Sequence, residues 1–149
     1  LLSRKYPLIE YVRVLRNHSM NYEQTLEELE EALTELQEEN KTVPIIVEGD
    51  KDIAALRKLA VSGEIIRFNK GRSVPDFCDM IAQKHQNIIL LTDWDWRGGR
   101  LYLSIKKHLE NRVECNLKYR EVFAKRCICR TVEGLPSWIE TLKKKINPE

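Results

Sequence analysis

Two stretches of this sequence set carboxylates where an apolar run has just ended. Glu48 follows Pro44-Ile45-Ile46-Val47, and Asp93 and Asp95 follow Asn87-Ile88-Ile89-Leu90-Leu91-Thr92. Charges stranded at such a place lose hydration and repel one another, so a chemical role is the first reading. In an extended segment, side chains alternate. Residues 93 and 95 therefore project to one side and Trp94 to the other. If the two runs are neighbouring strands, three carboxylates converge on one sheet edge and need either protons or a cation. Carboxylate oxygens suit hard Mg²⁺, with Mn²⁺ as the alternative; such an ion keeps waters or takes phosphate oxygens as its remaining ligands. The pattern is half of a phosphoryl-transfer site, in which a glutamate moves a proton or completes the metal shell. His18, His85 and His108 lie in or beside helical patterns, away from these acids. Nothing there suggests zinc or a triad.

Elements able to position the acids are legible along the chain. Residues 1–20 read as a short helix with Pro7 in its first turn. From Asn21 the spacing predicts the clearest helix: Asn21 caps it, Gln24 completes a capping box, and Leu26, Leu29, Leu33 and Leu36 form a stripe. That stripe packs on its own domain or serves as a seam for a second copy or another protein. After Lys41 short apolar runs alternate with helical patterns. PIIVEG, EIIRF and NIILLTD read as strands, and ICRTV, residues 128–132, as a short fourth. Helices are expected over KDIAALRKLA, over SVPDFCDMIAQKH with Ser73 as cap, from Gly98 or Gly99 to about Arg112, over NLKYREVFAKR, and over LPSWIETLKKKI. This alternation specifies an α/β fold of about four mainly parallel strands with helices on both faces. The expected division is an N-terminal helical segment, 1–42, and a catalytic-type domain, 43–149.

Composition narrows the role. The chain has 149 residues, 42% hydrophobic and 32% charged, and no apolar run near the ~20 residues a membrane span needs. No membrane role and no signal peptide are expected, so the expected address is the cytoplasm. The net charge of +2 conceals a polarity. Residues 1–42 carry five basic and nine acidic side chains, whereas residues 96–149 carry thirteen and six. The basic C-terminal third suits a polyanion, although scattered Lys and Arg also serve solubility. Of Cys78, Cys115, Cys127 and Cys129 only the last two are close, as Cys-x-Cys. Reduced buried thiols explain them better than a zinc knuckle.

Val47-Glu48-Gly49 with Asp52 four positions after the glutamate, then Asp93-x-Asp95-x-x-Gly98 about one βαβ unit later, resembles the Toprim domain. That domain is shared by topoisomerases, bacterial-type primases, recombination-repair proteins and small nucleases. The resemblance runs from about Val43 to Leu109, and through the 128–132 segment toward Lys145. Within the family the chain looks most like the small stand-alone Toprim proteins of archaea and bacteria, and more distantly like the ribonuclease that matures 5S ribosomal RNA. The resemblance gives Glu48 the position of the general acid/base and metal-binding glutamate. It gives Asp93 and Asp95 those of the Mg²⁺-binding aspartates, and Asp52 that of a supporting acid, which could instead cap the following helix. One departure is Asp50, where many small Toprim proteins have a basic residue; Lys51 stands next.

Further contacts to nucleic acid or phosphate are expected from Gly49 and Lys51, from Lys70 and Arg72 in the loop FNKGRSVP, and from Arg97, Gly98 and Arg100 after the aspartates. Lys70 and Arg72 also fit an ordinary exposed turn, and the two later arginines could simply pair with the acids. Trp94 and Trp96 could stack on an unpaired base; burial against a helix is the better reading for Trp94. The expected activity is Mg²⁺-dependent phosphodiester chemistry, that of a nuclease on structured RNA or DNA. With no second domain carrying a cleavage tyrosine and no primase zinc region, a complete topoisomerase or primase is not implied. The alternative is a non-catalytic nucleic-acid or ribosome-associated binding module that retains the metal site.

Overall fold

The structure, a computed structural model, describes residues 21–148. The helix expected within residues 1–20 lies outside the described residues. Among those described, the order is α1 (Tyr22–Glu39), β1 (Ile45–Val47), α2 (Asp50–Lys58), β2 (Ile65–Arg67), α3 (Val74–Lys84), β3 (Asn87–Leu90), α4 (Trp96–Leu109), β4 (Glu114–Asn116), α5 (Lys118–Arg126) and α6 (Leu135–Ile146). The strands form one sheet in the order β2-β1-β3-β4, and every pairing is parallel.

The alternation along β1 and β3 divides the interior in two, because successive side chains leave opposite faces of a strand. Ile45, Val47, Ile89 and Leu91 enter one core with α1, α2, α5 and α6. Ile46, Ile88 and Leu90 enter the other with α3 and α4. β1 is buried throughout and β3 from Ile88 onward, which explains the apolar runs Ile45-Ile46-Val47 and Ile88-Ile89-Leu90. The helix caps follow the sequence closely. Asn21 Oδ1 accepts from the Gln24 N–H at 3.0 Å, and Ser73 Oγ accepts from the Asp76 N–H at 3.2 Å. Leu29, Leu33 and Leu36 are buried within their own domain, so these leucines leave no open seam for a second copy.

One expected element is corrected. Residues 128–132 are not a strand; they belong to an irregular crossing between α5 and α6. The fourth strand is Glu114–Asn116, paired at the edge with β3. Its three residues carry no apolar run, so the ladder offered by β3, and not strand propensity, recruits it.

A buried amide locks α1 to the sheet. Asn40, 2% exposed, donates from Nδ2 to the carbonyls of Val43 (3.0 Å) and Glu64 (2.9 Å) and accepts from the Gly63 N–H at 2.7 Å. Gly63 has no room for a side chain, since a Cβ there would lie 2.6 Å from Asn40 Oδ1. No described helix is long and apolar enough to cross a membrane. Asn40→Ala strands three polar groups at once, and we expect it to lower the unfolding free energy by about 2–3 kcal/mol in denaturant titration, whereas changes at exposed Thr42 stay near zero.

Candidate functional site

β1 and β3 are adjacent, yet their chains leave in opposite directions. β1 continues through α2 to β2 on one side, and β3 continues through α4 to β4 on the other, with α2 and α4 on opposite faces. The C-terminal ends of such a pair form the crevice where α/β sheets gather their binding groups. Glu48 and Asp93 stand there. β3 proper ends at Leu90, and Thr92, fully buried, ties the segment beyond it to the next helix by donating from Oγ1 to the Gly98 carbonyl at 3.0 Å.

Four acids meet at this crevice, and each has one main-chain donor. Glu48 Oε2 accepts from the Asp93 N–H at 2.7 Å. Asp52 Oδ2 accepts from the Gly49 N–H at 3.1 Å, reaching back from the first turn of α2, so the capping alternative for Asp52 describes its contact. Asp93 Oδ1 accepts from the Val132 N–H at 2.8 Å. Asp95 is the N-cap of α4, its Oδ1 accepting from the Gly98 N–H at 2.7 Å. Glycine at 98 is a steric requirement: a Cβ would overlap the Asp93 carbonyl and lie 2.8 Å from the Asp93 Cβ. Gly49 has no such neighbour.

These acids sense one another. Desolvation, opposed by the Val132 hydrogen bond and reinforced by the charges of Asp52, Glu48 and Asp95, pushes Asp93 up to about 7. Burial raises Asp52 as well, with Gly49 opposing and Glu48 adding to the rise. Such a cluster of partly buried carboxyls would be stabilised either by protons or by a cation. Among the described residues, however, no three acids, thiols or imidazoles are already spaced to hold an ion. Donor type and charge fit Mg²⁺; the spacing of this arrangement is set by the four backbone hydrogen bonds.

Sequence reasoning missed two contributors. Arg120, from α5, donates from Nε to the Thr92 carbonyl (3.1 Å) and from Nη2 to the Asp93 carbonyl (2.9 Å). Its guanidinium lies 4.2 Å from the Tyr102 ring centroid. Burial lowers Arg120 from its usual range, with Tyr102, Glu48, Asp93 and Asp95 opposing that shift. No motif marked it, because a single arginine in a helix full of cations looks like a solvated residue. The second contributor is the Cys127–Gly134 crossing. It supplies the Val132 N–H, takes the Trp94 N–H at the Arg130 carbonyl (2.9 Å), and takes the Trp94 indole N–H at the Cys129 carbonyl (2.6 Å). Trp94 also lies 6.0 Å from Phe123, ring to ring, in the core. All of these crossing contacts are main-chain, which no residue type announces.

The other expected contacts are distributed around the same edge. Lys70 and Arg72 are exposed in the turn after β2, and Lys51 is exposed at the start of α2. Asp50 pairs with Arg67 at 3.2 Å. Arg97 and Arg100 are exposed on the first turns of α4, and neither forms an ion pair among the described residues. Arg100 instead lies over the Trp96 ring, 4.9 Å from its centroid.

Two outcomes follow from this geometry. Gly98→Ala should cost about 1–3 kcal/mol or more in denaturant unfolding, because the backbone of Asp93 has to give way. The second concerns pH. A carboxyl near 3.8 when unfolded and about 7 when folded binds more protons in the folded state between those values, so its contribution falls as pH rises from about 4 to about 7. In chelator, Asp93→Asn, which keeps an oxygen for the Val132 N–H, should therefore gain thermal stability relative to the parent as pH rises through that window. An unchanged difference across the window would show that Asp93 titrates normally.

Comparison with known proteins agrees with the geometry. The Toprim domain matches residues 43–125. A UPF0292 protein of Thermoplasma volcanium is 42% identical over 102 residues, 68% of this chain and 86% of the relative. Another, from Methanosarcina barkeri, is 30% identical over 130 residues, 83% of this chain and 89% of the relative. A protein of solved structure from Aquifex aeolicus superposes with a TM-score of 0.56 at 29% identity, covering 64% of this chain and 87% of that one. The chain therefore belongs to the Toprim domain family, beside the small archaeal UPF0292 proteins.

Proposed function

We propose that this protein is a Mg²⁺-dependent nuclease acting on structured RNA or DNA. The observation that carries the reading is the crevice between β1 and β3, where Glu48, Asp52, Asp93 and Asp95 gather on four main-chain donors and where burial, with the charges of the other three acids adding to it, pushes Asp93 up to about 7. Family membership supports the coarser part, a metal-dependent role connected with nucleic acids. The distant resemblance of the motifs to a ribosomal-RNA-maturing ribonuclease keeps RNA beside DNA as substrate.

In this reading Glu48, Asp93 and Asp95 hold the ion through their carboxylate oxygens, and Asp52 supports them. When bound, Mg²⁺ polarises the scissile phosphate and offsets charge developing on its oxygens. The remaining work belongs to the chain. Glu48 exchanges a proton with the attacking or departing oxygen. Its Oε2 is anchored on the Asp93 N–H at 2.7 Å, which fixes the orientation of that carboxyl. Arg120 holds the carbonyls of Thr92 and Asp93 and adds a positive charge behind the acids. Lys51, Lys70, Arg72, Arg97 and Arg100 take the flanking backbone without reading its bases. Gly49, with open space around its Cα, lets a phosphate approach the peptide.

A second reading, a binding module without turnover, is favoured by one observation: each acid already spends an oxygen on a main-chain donor, and no trio is spaced for an ion among the described residues. One experiment separates the two. A mixed pool of structured RNA and DNA is incubated with Mg²⁺ or chelator beside Glu48→Gln and Asp93→Asn. The nuclease reading expects metal-dependent cleavage, lowered about 10²–10⁴-fold by Glu48→Gln and abolished by Asp93→Asn. It also expects Mg²⁺ to raise the melting temperature of the parent and not that of Asp93→Asn. Binding without cleavage, in Mg²⁺ as in chelator, establishes the module instead.

A further inference from the structure

Trp96 is the first residue of α4, directly after Asp95, and it is 74% exposed. An indole left this far in water beside a polar crevice has no part in the core. The guanidinium of Arg100, one turn on, lies 4.9 Å from its ring centroid, which holds the ring and covers one face with positive charge. Arg97, also exposed, follows Trp96 in the sequence. The other two tryptophans are engaged differently: Trp94 donates its indole N–H to Cys129, and Trp138, 8% exposed, donates to the Arg126 carbonyl.

We infer that Trp96 and Arg100 form a stacking platform for an unpaired base next to the phosphate held at the acids, so that the substrate is single-stranded at the site of action. This rests on the nucleic-acid reading above and narrows it. Consecutive Cα atoms are ~3.8 Å apart, so the indole lies within about one side chain's reach of the Asp95 cap. An aromatic face with a cation behind it takes any base, because every base has a π-face, and the nearby arginines take its phosphates. A paired base has both faces covered by its neighbours in the stack. A protein-docking surface is a poorer match: among the described residues the other exposed large hydrophobics are Leu103, two turns along the same helix with Arg100 between it and Trp96, and Ile128 in the crossing after α5, so charge interrupts the apolar side chains around Trp96.

The test is a fluorescence titration of the whole chain with a short oligothymidylate, an oligouridylate and a blunt duplex, in Mg²⁺ and in chelator, with cleavage followed separately on gels. Trp96 is the exposed emitter, so the single strands should quench emission. Trp96→Phe should lose most of that quenching while keeping affinity within about threefold. Trp96→Ala should weaken single-strand binding about tenfold or more, the usual scale for loss of one stacked base, and leave duplex binding unchanged. Unaltered circular dichroism shows that both variants fold. Equal affinity for the blunt duplex, or single-strand binding indifferent to Trp96→Ala, overturns the inference even if the protein cleaves nucleic acid. Concentration-dependent quenching without nucleic acid, lost in Trp96→Ala, would also overturn it, in favour of a protein interface. If single strands bind through Trp96 and nothing in the structured RNA and DNA pool is cut, the platform stands and the nuclease reading fails.

Discussion

Four carboxylates share one crevice, and each is steadied by a single main-chain N–H. That constraint ties four separate parts of the chain to one place. The donors come from four places: Gly49 before α2, Asp93 beyond β3, Gly98 in the first turn of α4, and Val132 in the crossing before α6. The fold has to bring all four to the ends of two strands only three and four residues long. It does so by pairing β1 directly with β3, by letting α4 approach Asp93 through a glycine, and by passing the chain back over the site after α5. A backbone N–H supplies partial positive charge without the entropy of a long side chain. The acids are thereby placed by folding itself, and their mutual repulsion remains as an attraction for a cation.

The two cores serve this end differently. The core on the side of α1, α2, α5 and α6 anchors the elements that flank the acids, with Trp94 and Phe123 joining the site to its interior. The core on the side of α3 and α4 supports the helix whose first turn receives Asp95. Arg120 stands where α5 meets the crevice, between the Tyr102 ring and two peptide carbonyls.

Much of this was legible in the sequence, for reasons that can be named. Ile45-Ile46-Val47 and Asn87-Ile88-Ile89-Leu90 announce buried strands because both of their faces are covered, and the acids after them announce a strand-end cluster. Asn21 and Ser73 announce their helices because their side chains can satisfy first-turn N–H groups. The failures have physical causes as well. Glu114-Cys115-Asn116 has no strand signature because its place depends on a neighbour's free edge. Ile128-Cys129-Arg130-Thr131-Val132 has the right residues for a strand, but Trp94 and Asp93 claim its backbone groups, so tertiary hydrogen bonds override β propensity. Arg120 and the Val132 N–H were beyond reach, since one looks like any helix cation and the other is a peptide group.

The crossing over the site has an evolutionary implication. Its contacts with Asp93 and Trp94 are made by the peptide atoms of Cys129, Arg130 and Val132, while the match to the family stops at residue 125. Side chains along such a segment can drift between relatives without loosening the acids, provided that the path of the chain and small Gly134, packed against Cys129, persist. A segment of this kind is constrained as a path and not as a motif. What such a segment asks of its residues is that they follow the path, not that they present particular side chains to the acids.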